Sequence, residues 1–103
     1  MSGKYHAQIT EADGYTFDSK REAARYGELK LLVAAGEITQ LEVHPPFPME
    51  VGGLHIANYV ADFQYTEKGR VVVEDVKGVR TPVYKLKKKL MLGIYGIEIK
   101  EVE

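Results

Sequence analysis

The sequence contains no cysteine, and this absence excludes disulfide bonds, zinc–thiolate sites and cysteine nucleophiles. No apolar run approaches the roughly 18 residues of a membrane-spanning helix, and residues 1–6 lack the apolar stretch of a signal peptide. With only 4 prolines and 10 glycines, the chain is not of low complexity. We therefore expect no membrane span and no disulfide framework.

The composition is typical of one globular domain over residues 1–103. Hydrophobic residues make up 45% of the chain and charged residues 28%, and these shares argue against disorder. A chain of this length can bury enough surface for one modest core.

Acidic residues are absent between Val76 and Ile97, although the formal net charge of the whole chain is only -1. This stretch contains six of the 14 basic residues, namely Lys77, Arg80, Lys85, Lys87, Lys88 and Lys89. Such a distribution can direct one face of the protein towards a polyanion such as nucleic acid. A solvated helix face explains the same pattern, because lysine is a good helix former. Charge alone leaves both interpretations open.

Two helices are predicted from their capping residues. The first begins after Ser19, which forms a capping box with Glu22, and it ends at Gly36. The second begins after Thr81, with proline at its first position, and it ends at Gly96. The positions predicted to face the sheet are Glu22, Tyr26, Leu29 and Val33 on the first helix and Val83, Leu86, Leu90 and Ile94 on the second.

Alternation and apolar runs predict the strands. They are 37–44, 54–65, 70–77 and 97–102, with a short piece at 49–51 and two more on either side of an Asp13–Gly14 turn. Prolines in 45–48 are expected to stop regular pairing. The element order therefore predicts an α/β protein, with a mixed sheet of four or five strands flanked by two helices. After a short N-terminal hairpin the order is α-β-β-β-α-β.

The strand 70–77 contains charged side chains in an apolar setting. Asp75 and Lys77 share one face of it, since side chains alternate along a strand, and Glu74 points to the other face. Buried charges are costly unless a partner compensates them. A divalent cation is one such partner for carboxylates.

The register of the preceding hairpin decides which acid lies beside Asp62. A two-residue turn at 68–69 places Asp62 opposite Asp75, whereas a three-residue loop at 67–69 places it opposite Glu74. Either register brings two carboxylates side by side, which destabilises a strand pair unless a cation intervenes. Register alone does not choose the partner of Asp62, but Lys77 favours Asp75, because only Asp75 shares its face.

Glu22 is the third acid of interest. As a capping-box residue it needs no other role than to satisfy backbone N–H groups at the start of the helix. Its position on the stripe that faces the sheet also allows its carboxylate to point towards the acids on the strands. The two roles are compatible.

This ordered set of residues resembles the motif of the PD-(D/E)xK nuclease superfamily. The matching positions are Glu22 in the early helix, Asp62 on a following strand, and Asp75, Val76 and Lys77 as D-x-K on the next strand. More narrowly, the chain resembles a family of small phage and prophage proteins of formerly unknown function. The similar stretches are 13–23, 45–47, 59–63, 73–78 and 81–88.

The resemblance implies a restriction-endonuclease-like core and Mg²⁺-dependent hydrolysis of DNA phosphodiester bonds, with Mn²⁺ as a substitute. It assigns Asp62, Asp75, the Val76 carbonyl and Glu22 to one or two metal ions. Lys77 would orient the attacking water or stabilise the transition state. It also implies a location in the cytoplasm of a bacterial host. The residues expected to contact DNA are Arg80, Thr81, Tyr84, Lys85, Lys88 and Lys89.

The small size of the chain favours structure-selective cutting of branched DNA, as in Holliday junction resolvases, over reading of a long sequence. Cutting two strands needs two active sites, so we expect a homodimer with twofold symmetry. Two other hypotheses stay open. One is a non-catalytic nucleic-acid-binding module that uses the lysines of 85–89, and the other is an assembly protein that does not bind DNA.

Other candidates receive structural interpretations. His6, His44 and His55 lack the spacing of a zinc site, and His44, beside a proline, is interpreted as structural. Glu74 is expected to point outward or to pair with a basic residue. Under the second register, Glu74 would instead bind metal.

Overall fold

The computed structural model describes residues 8–103. Residues 1–7 lie outside the described part, and they include His6 and all of the N-terminal stretch considered as a signal peptide. The strands are β1 (Thr10–Ala12), β2 (Tyr15–Phe17), β3 (Thr39–Val43), β4 (Pro46–Val51), β5 (Leu54–Val60), β6 (Phe63–Glu67), β7 (Arg70–Val76) and β8 (Lys100–Val102). The helices are α1 (Lys20–Ala34) and α2 (Pro82–Leu90), and a π-helical turn, Met91–Tyr95, continues α2.

A four-stranded mixed sheet in the order β3-β6-β7-β8 forms the centre of the protein. The first three strands are antiparallel, and β8 is parallel to β7. The prediction of an α/β protein with a mixed sheet and two helices is confirmed. The sheet strands and helices follow the expected order, and the β4–β5 hairpin is an addition between β3 and β6.

The two helices cover opposite faces of the sheet. Val72 packs into the apolar cluster that contains Tyr26 and Leu29 of α1. Val73 belongs to the cluster that contains Tyr84 of α2 and Met91. Because successive side chains of a strand point to opposite faces, the two clusters lie on the two sides of β7.

The prediction of one continuous strand over 54–65 is wrong. The chain bends at Asp62, so that β5 and β6 belong to different sheets. Ala61 N–H still donates to the carbonyl of Pro45, directly before β4 (3.1 Å), whereas Asp62 N–H donates to the carbonyl of Glu74 in the central sheet (3.2 Å). The change of pairing partner is a tertiary event that residue alternation does not encode.

The expectation that the prolines stop regular pairing is also wrong. Pro46 and Pro48 lie within β4, opposite Val60 and Asn58 of β5. The β4–β5 sheet has two strands, so in the described part of the chain one edge of each strand has no neighbouring strand. A backbone N–H donor is not needed on that edge. Proline is tolerated at such an edge.

The helix caps agree with the prediction. Ser19 Oγ accepts from the N–H of Glu22 (3.1 Å) and Thr81 Oγ1 accepts from the N–H of Tyr84 (3.1 Å). Gly96, with φ of 68°, ends the π-helical turn in the left-handed region that favours glycine.

The predicted buried stripe of α2 is wrong at its start. Val83 and Leu86 are 61% and 58% exposed, whereas Tyr84 and Met91 are buried. The tyrosine ring takes the position towards the sheet, and the wider π-helical turn after Leu90 changes the angular phase of the following residues. On α1, Tyr26 and Leu29 are buried as expected, and Val33 is 38% exposed.

Neither helix in the part of the chain that the structure describes is long and apolar enough to cross a membrane.

Candidate functional site

The β6–β7 hairpin has the two-residue turn. Phe63 lies opposite Glu74, and Glu67 lies opposite Arg70. Lys68 and Gly69 between the strands have φ of 52° and 77°, the positive values of a tight hairpin turn. Of the two registers left open by the sequence, the one that extrapolates to Asp62 opposite Asp75 is therefore confirmed.

Asp62 lies where the chain enters the central sheet. Its Oδ2 accepts from the N–H of Val76 (2.7 Å), and its carbonyl accepts from the N–H of His44 (2.9 Å). These contacts link the end of β3, the start of β6 and the end of β7. The carboxylate of Asp62 is thus positioned by a backbone group of β7, and its main chain by a backbone group at the end of β3.

Asp75 is 2% exposed and lies on the face of β7 that packs against α2. Its Oδ2 accepts from the hydroxyl of Tyr59 and lies 3.8 Å from Lys77 Nζ. Burial raises the pKa of Asp75 to about 6, and the nearby Lys77 charge opposes this rise. Asp75 and Lys77 share one face, as the alternation predicted.

Lys77 is held by an aromatic ring as well as by a carboxylate. Its Nζ lies 4.0 Å from the centroid of the Tyr84 ring, a distance typical of a cation–π contact. The hydroxyl of Tyr84 donates to Glu101 Oε2 (2.8 Å) on β8. Tyr84 therefore connects the ammonium group to the next strand.

Glu22 reaches the same end of the sheet from α1. Its backbone N–H donates to the Ser19 cap, and its Oε1 accepts from the N–H of Asp18 (3.4 Å). The same oxygen lies 3.3 Å from His44 Nε2. One ligand atom from each of Glu22, His44 and Asp62 lies within 4.8 Å of the others. Burial, followed by a hydrogen bond with the Glu22 side chain, raises the pKa of Asp62 to about 8. Both roles considered for Glu22 are thus compatible with its position.

Glu74, the neighbour of Asp75, faces α1 instead. It is fully buried, and both of its oxygens accept from Arg25, at 2.9 Å from Nε and 2.7 Å from Nη2. The hydroxyl of Tyr65 also donates to Glu74 Oε2. This ion pair matches the interpretation of Glu74 as the partner of a basic residue.

Five of the six residues expected to contact DNA, all except Thr81, line a pocket of about 420 Å³ between α2 and β8. Three of them converge on Glu101: Arg80 Nε at 2.8 Å, Tyr84 Oη at 2.8 Å and Lys88 Nζ at 3.1 Å. These donors, Arg80 first, lower the pKa of Glu101 to about 2. Tyr84 is only 7% exposed, so its hydroxyl is committed to this contact.

The remaining three lie apart from this convergence. Thr81 caps α2, whereas Lys85 and Lys89 are exposed side chains at the rim of the pocket. These two lysines therefore have solvent-accessible ammonium groups, which a polyanion requires.

A family model described as "Protein of unknown function (DUF1064)" matches residues 2–100. The chain belongs to this family. The resemblance to a family of unknown function is thereby confirmed, whereas the relation to the PD-(D/E)xK nucleases stays a prediction. A search of curated proteins finds no match.

Two residues of the site in this DUF1064 protein were not predicted from the sequence. His44 was interpreted as structural, because nothing in its neighbourhood shows that β3 ends beside Asp62. Tyr59 had a usable signal. It lies two positions before Ala61, so it points to the same side as that buried residue, which packs in the cluster with Val73 and Tyr84.

Proposed function

We propose that this protein is a Mg²⁺-dependent DNA endonuclease with a restriction-endonuclease-like core of the PD-(D/E)xK type. The observation that supports the proposal best is the placement of Asp62, Asp75 and Lys77 around the end of β7. Glu22 approaches Asp62 from α1. The four residue types, in this order along the chain, are those of the motif.

The donor groups fit a hard divalent cation. Asp62, Asp75 and the Val76 carbonyl would hold it through oxygen atoms, the ligands that Mg²⁺ prefers, and Glu22 would bind it or its water. When bound, the cation would lower the pKa of a water ligand and neutralise charge on the scissile phosphate.

The side chains around the cation would have separate roles. Asp75, with a pKa of about 6, is mainly ionised at neutral pH and orients Lys77. The Lys77 ammonium, fixed over the Tyr84 ring, would orient the attacking water or stabilise charge on the phosphate as it develops. Asp62, with a raised pKa of about 8, would release its proton as the cation binds.

DNA would approach along the lysine-rich side of α2, where Lys85 and Lys89 are exposed. Two further basic groups there, Arg80 and Lys88, are oriented by Glu101. We further propose branched DNA as the substrate and a twofold symmetric homodimer as the active form, since paired cuts need paired sites. This activity would serve DNA processing by a phage or prophage in the bacterial cytoplasm.

Cleavage of a four-way DNA junction and of a linear duplex of matched sequence, each with Mg²⁺, tests the proposal. Asp75→Asn and Lys77→Met should each lower the cleavage rate by at least about 100-fold while retaining DNA binding. Lys68→Met, which changes an exposed lysine in the hairpin turn, serves as the matched control and should cleave normally. Full cleavage by Asp75→Asn, in protein shown by circular dichroism to be folded, would contradict the proposal.

A second candidate is a non-catalytic nucleic-acid-binding module, favoured by the basic pocket between α2 and β8. It predicts salt-dependent binding of DNA or RNA without cleavage in Mg²⁺ or Mn²⁺, and equal binding by wild type and Asp75→Asn. The cleavage assay separates the two candidates directly.

A further inference from the structure

His44 lies in a position that the motif does not explain. Its ring packs 5.7 Å from the ring of Phe17, centroid to centroid, and its Nε2 points to Glu22 Oε1 at 3.3 Å. Its backbone N–H donates to the carbonyl of Asp62. Packing against Phe17 and backbone pairing with Asp62 therefore hold the imidazole close to both acids.

The charges around His44 are unbalanced. Among the described residues, neither Glu22 nor Asp62 has an arginine or lysine nitrogen within 4.0 Å. Glu22 is 5% exposed, so water supplies little compensation for its charge. Glu74 provides the contrast within the same protein, since it has Arg25 as a bidentate partner. Of the side chains that the structure describes, the imidazole of His44 is the only basic one within 4.0 Å of either carboxyl group.

The side chains are pre-positioned for coordination. Ser19 caps the start of α1, and the N–H of Asp18 donates to Glu22 Oε1 (3.4 Å) and so directs the Glu22 carboxylate. Pairing of β3 with β6 fixes His44 relative to Asp62. One imidazole nitrogen and two carboxylate oxygens within 4.8 Å of one another form a mixed nitrogen and oxygen donor set. Such a set suits borderline transition metals, whereas Ca²⁺ and Mg²⁺ prefer oxygen ligands only.

We propose that Glu22, His44 and Asp62 bind a second divalent cation, with His44 Nε2 as the ligand that selects transition metals such as Zn²⁺ or Mn²⁺. Asp62 would be shared with the first cation, and in that sense the inference rests on the proposed function. Imidazole ligation gives the site a metal preference that a purely carboxylate site lacks.

Histidine NMR of the wild-type protein under Zn²⁺ titration is the first test. Direct ligation should move the ¹⁵N resonance of His44 Nε2 to the range of a metal-bound nitrogen, while exposed His55 on β5 stays unchanged and acts as an internal control. Asp75→Asn should retain this effect, because Asp75 lies outside the three-residue donor set. An unshifted His44, or loss of its shift in Asp75→Asn, would overturn the second site.

Isothermal titration calorimetry with Zn²⁺ and Ca²⁺ provides the second test. His44→Gln should lower Zn²⁺ affinity at least tenfold and change Ca²⁺ affinity by less than twofold, because glutamine removes the nitrogen ligand but keeps a polar side chain. His55→Gln is the matched control and should equal the wild type. Unchanged Zn²⁺ affinity in His44→Gln would overturn the proposal.

Neither test involves DNA, so the two proposals fail separately. Zn²⁺ ligation by His44 in a protein that cleaves no DNA would support the metal site and refute the proposed nuclease activity. DNA cleavage by a protein in which His44 does not bind Zn²⁺ would support the nuclease activity and refute the second metal site.

Discussion

Replacing Arg25 by methionine should lower the free energy of unfolding by about 3–5 kcal/mol, since it leaves a buried carboxylate without its cation. Glu74 is fully buried, and Arg25 donates to both of its oxygens. In the variant the remaining contacts are the Tyr65 hydroxyl and Lys100 Nζ, which lies at 3.9 Å on a half-exposed side chain. Neither replaces a bidentate guanidinium.

Two companion variants establish that the loss comes from the unpaired charge. Glu74→Gln should cost only about 1–2 kcal/mol, because the amide oxygen still accepts from Arg25 and the arginine side chain keeps some access to solvent. The double variant Arg25→Met with Glu74→Met should be more stable than Arg25→Met alone, since no buried charge remains.

Urea unfolding followed by circular dichroism, with free energies compared at equal m-values, measures all three variants. A cost below about 1 kcal/mol for Arg25→Met would refute the reasoning, and so would a double variant less stable than the single one. The Glu74 variant also tests which of the two adjacent acids belongs to the candidate site. Glu74→Gln should retain metal binding and DNA cleavage, whereas Asp75→Asn should lose cleavage, although the two acids are adjacent in sequence.

Three further predictions concern the candidate site. Without divalent metal, the folded protein should lose stability as the pH rises from about 4 to about 8. Asp62 has a pKa of about 8 in the folded protein, above its ordinary value, so within this pH window the folded state binds more protons than the unfolded state. Melting temperatures at both ends of this window measure the loss; Asp62→Asn should flatten its upper half, and an unchanged slope in that variant would contradict the assignment. Tyr84→Leu should lower cleavage about tenfold by releasing Lys77 from the ring, whereas Tyr84→Phe should retain it within about threefold, and equal losses in single-turnover assays would argue against the ring's role. Lys85→Ala and Lys89→Ala should each reduce the salt slope of DNA binding by about 1 in fluorescence anisotropy titrations, and an unchanged slope would place the DNA elsewhere.

Local signals in the sequence predicted the parts of the fold that depend on local physics. The caps at Ser19 and Thr81 satisfy backbone N–H groups within three residues, so their effect can be read without tertiary information. The same holds for the face shared by Asp75 and Lys77, which follows from the alternation within one strand. The register needed one further fact, the length of the turn at 68–69.

The features that the sequence did not reveal depend on pairing between distant segments. The bend at Asp62 arises because Ala61 and Asp62 pair with different sheets. His44 enters the site because β3 pairs with β6, an interaction across about twenty residues that neither strand encodes alone. The prediction for the start of α2 is wrong for a related reason. Tyr84 is buried because it contacts Lys77 and Glu101, and Val83 is therefore left on the exposed side of the helix.

The distribution of cations around the acids is the physical basis for locating the site. Glu74 and Glu101 each receive an arginine, and their charges are compensated within the protein. Asp75 receives one lysine at 3.8 Å, and burial still raises its pKa to about 6. Asp62 and Glu22 have no basic side chain other than the imidazole of His44 within 4.0 Å among residues 8–103. Compensation is therefore least complete where the structure brings carboxylates from α1, β6 and β7 together, and this is where an external divalent cation would gain most from binding.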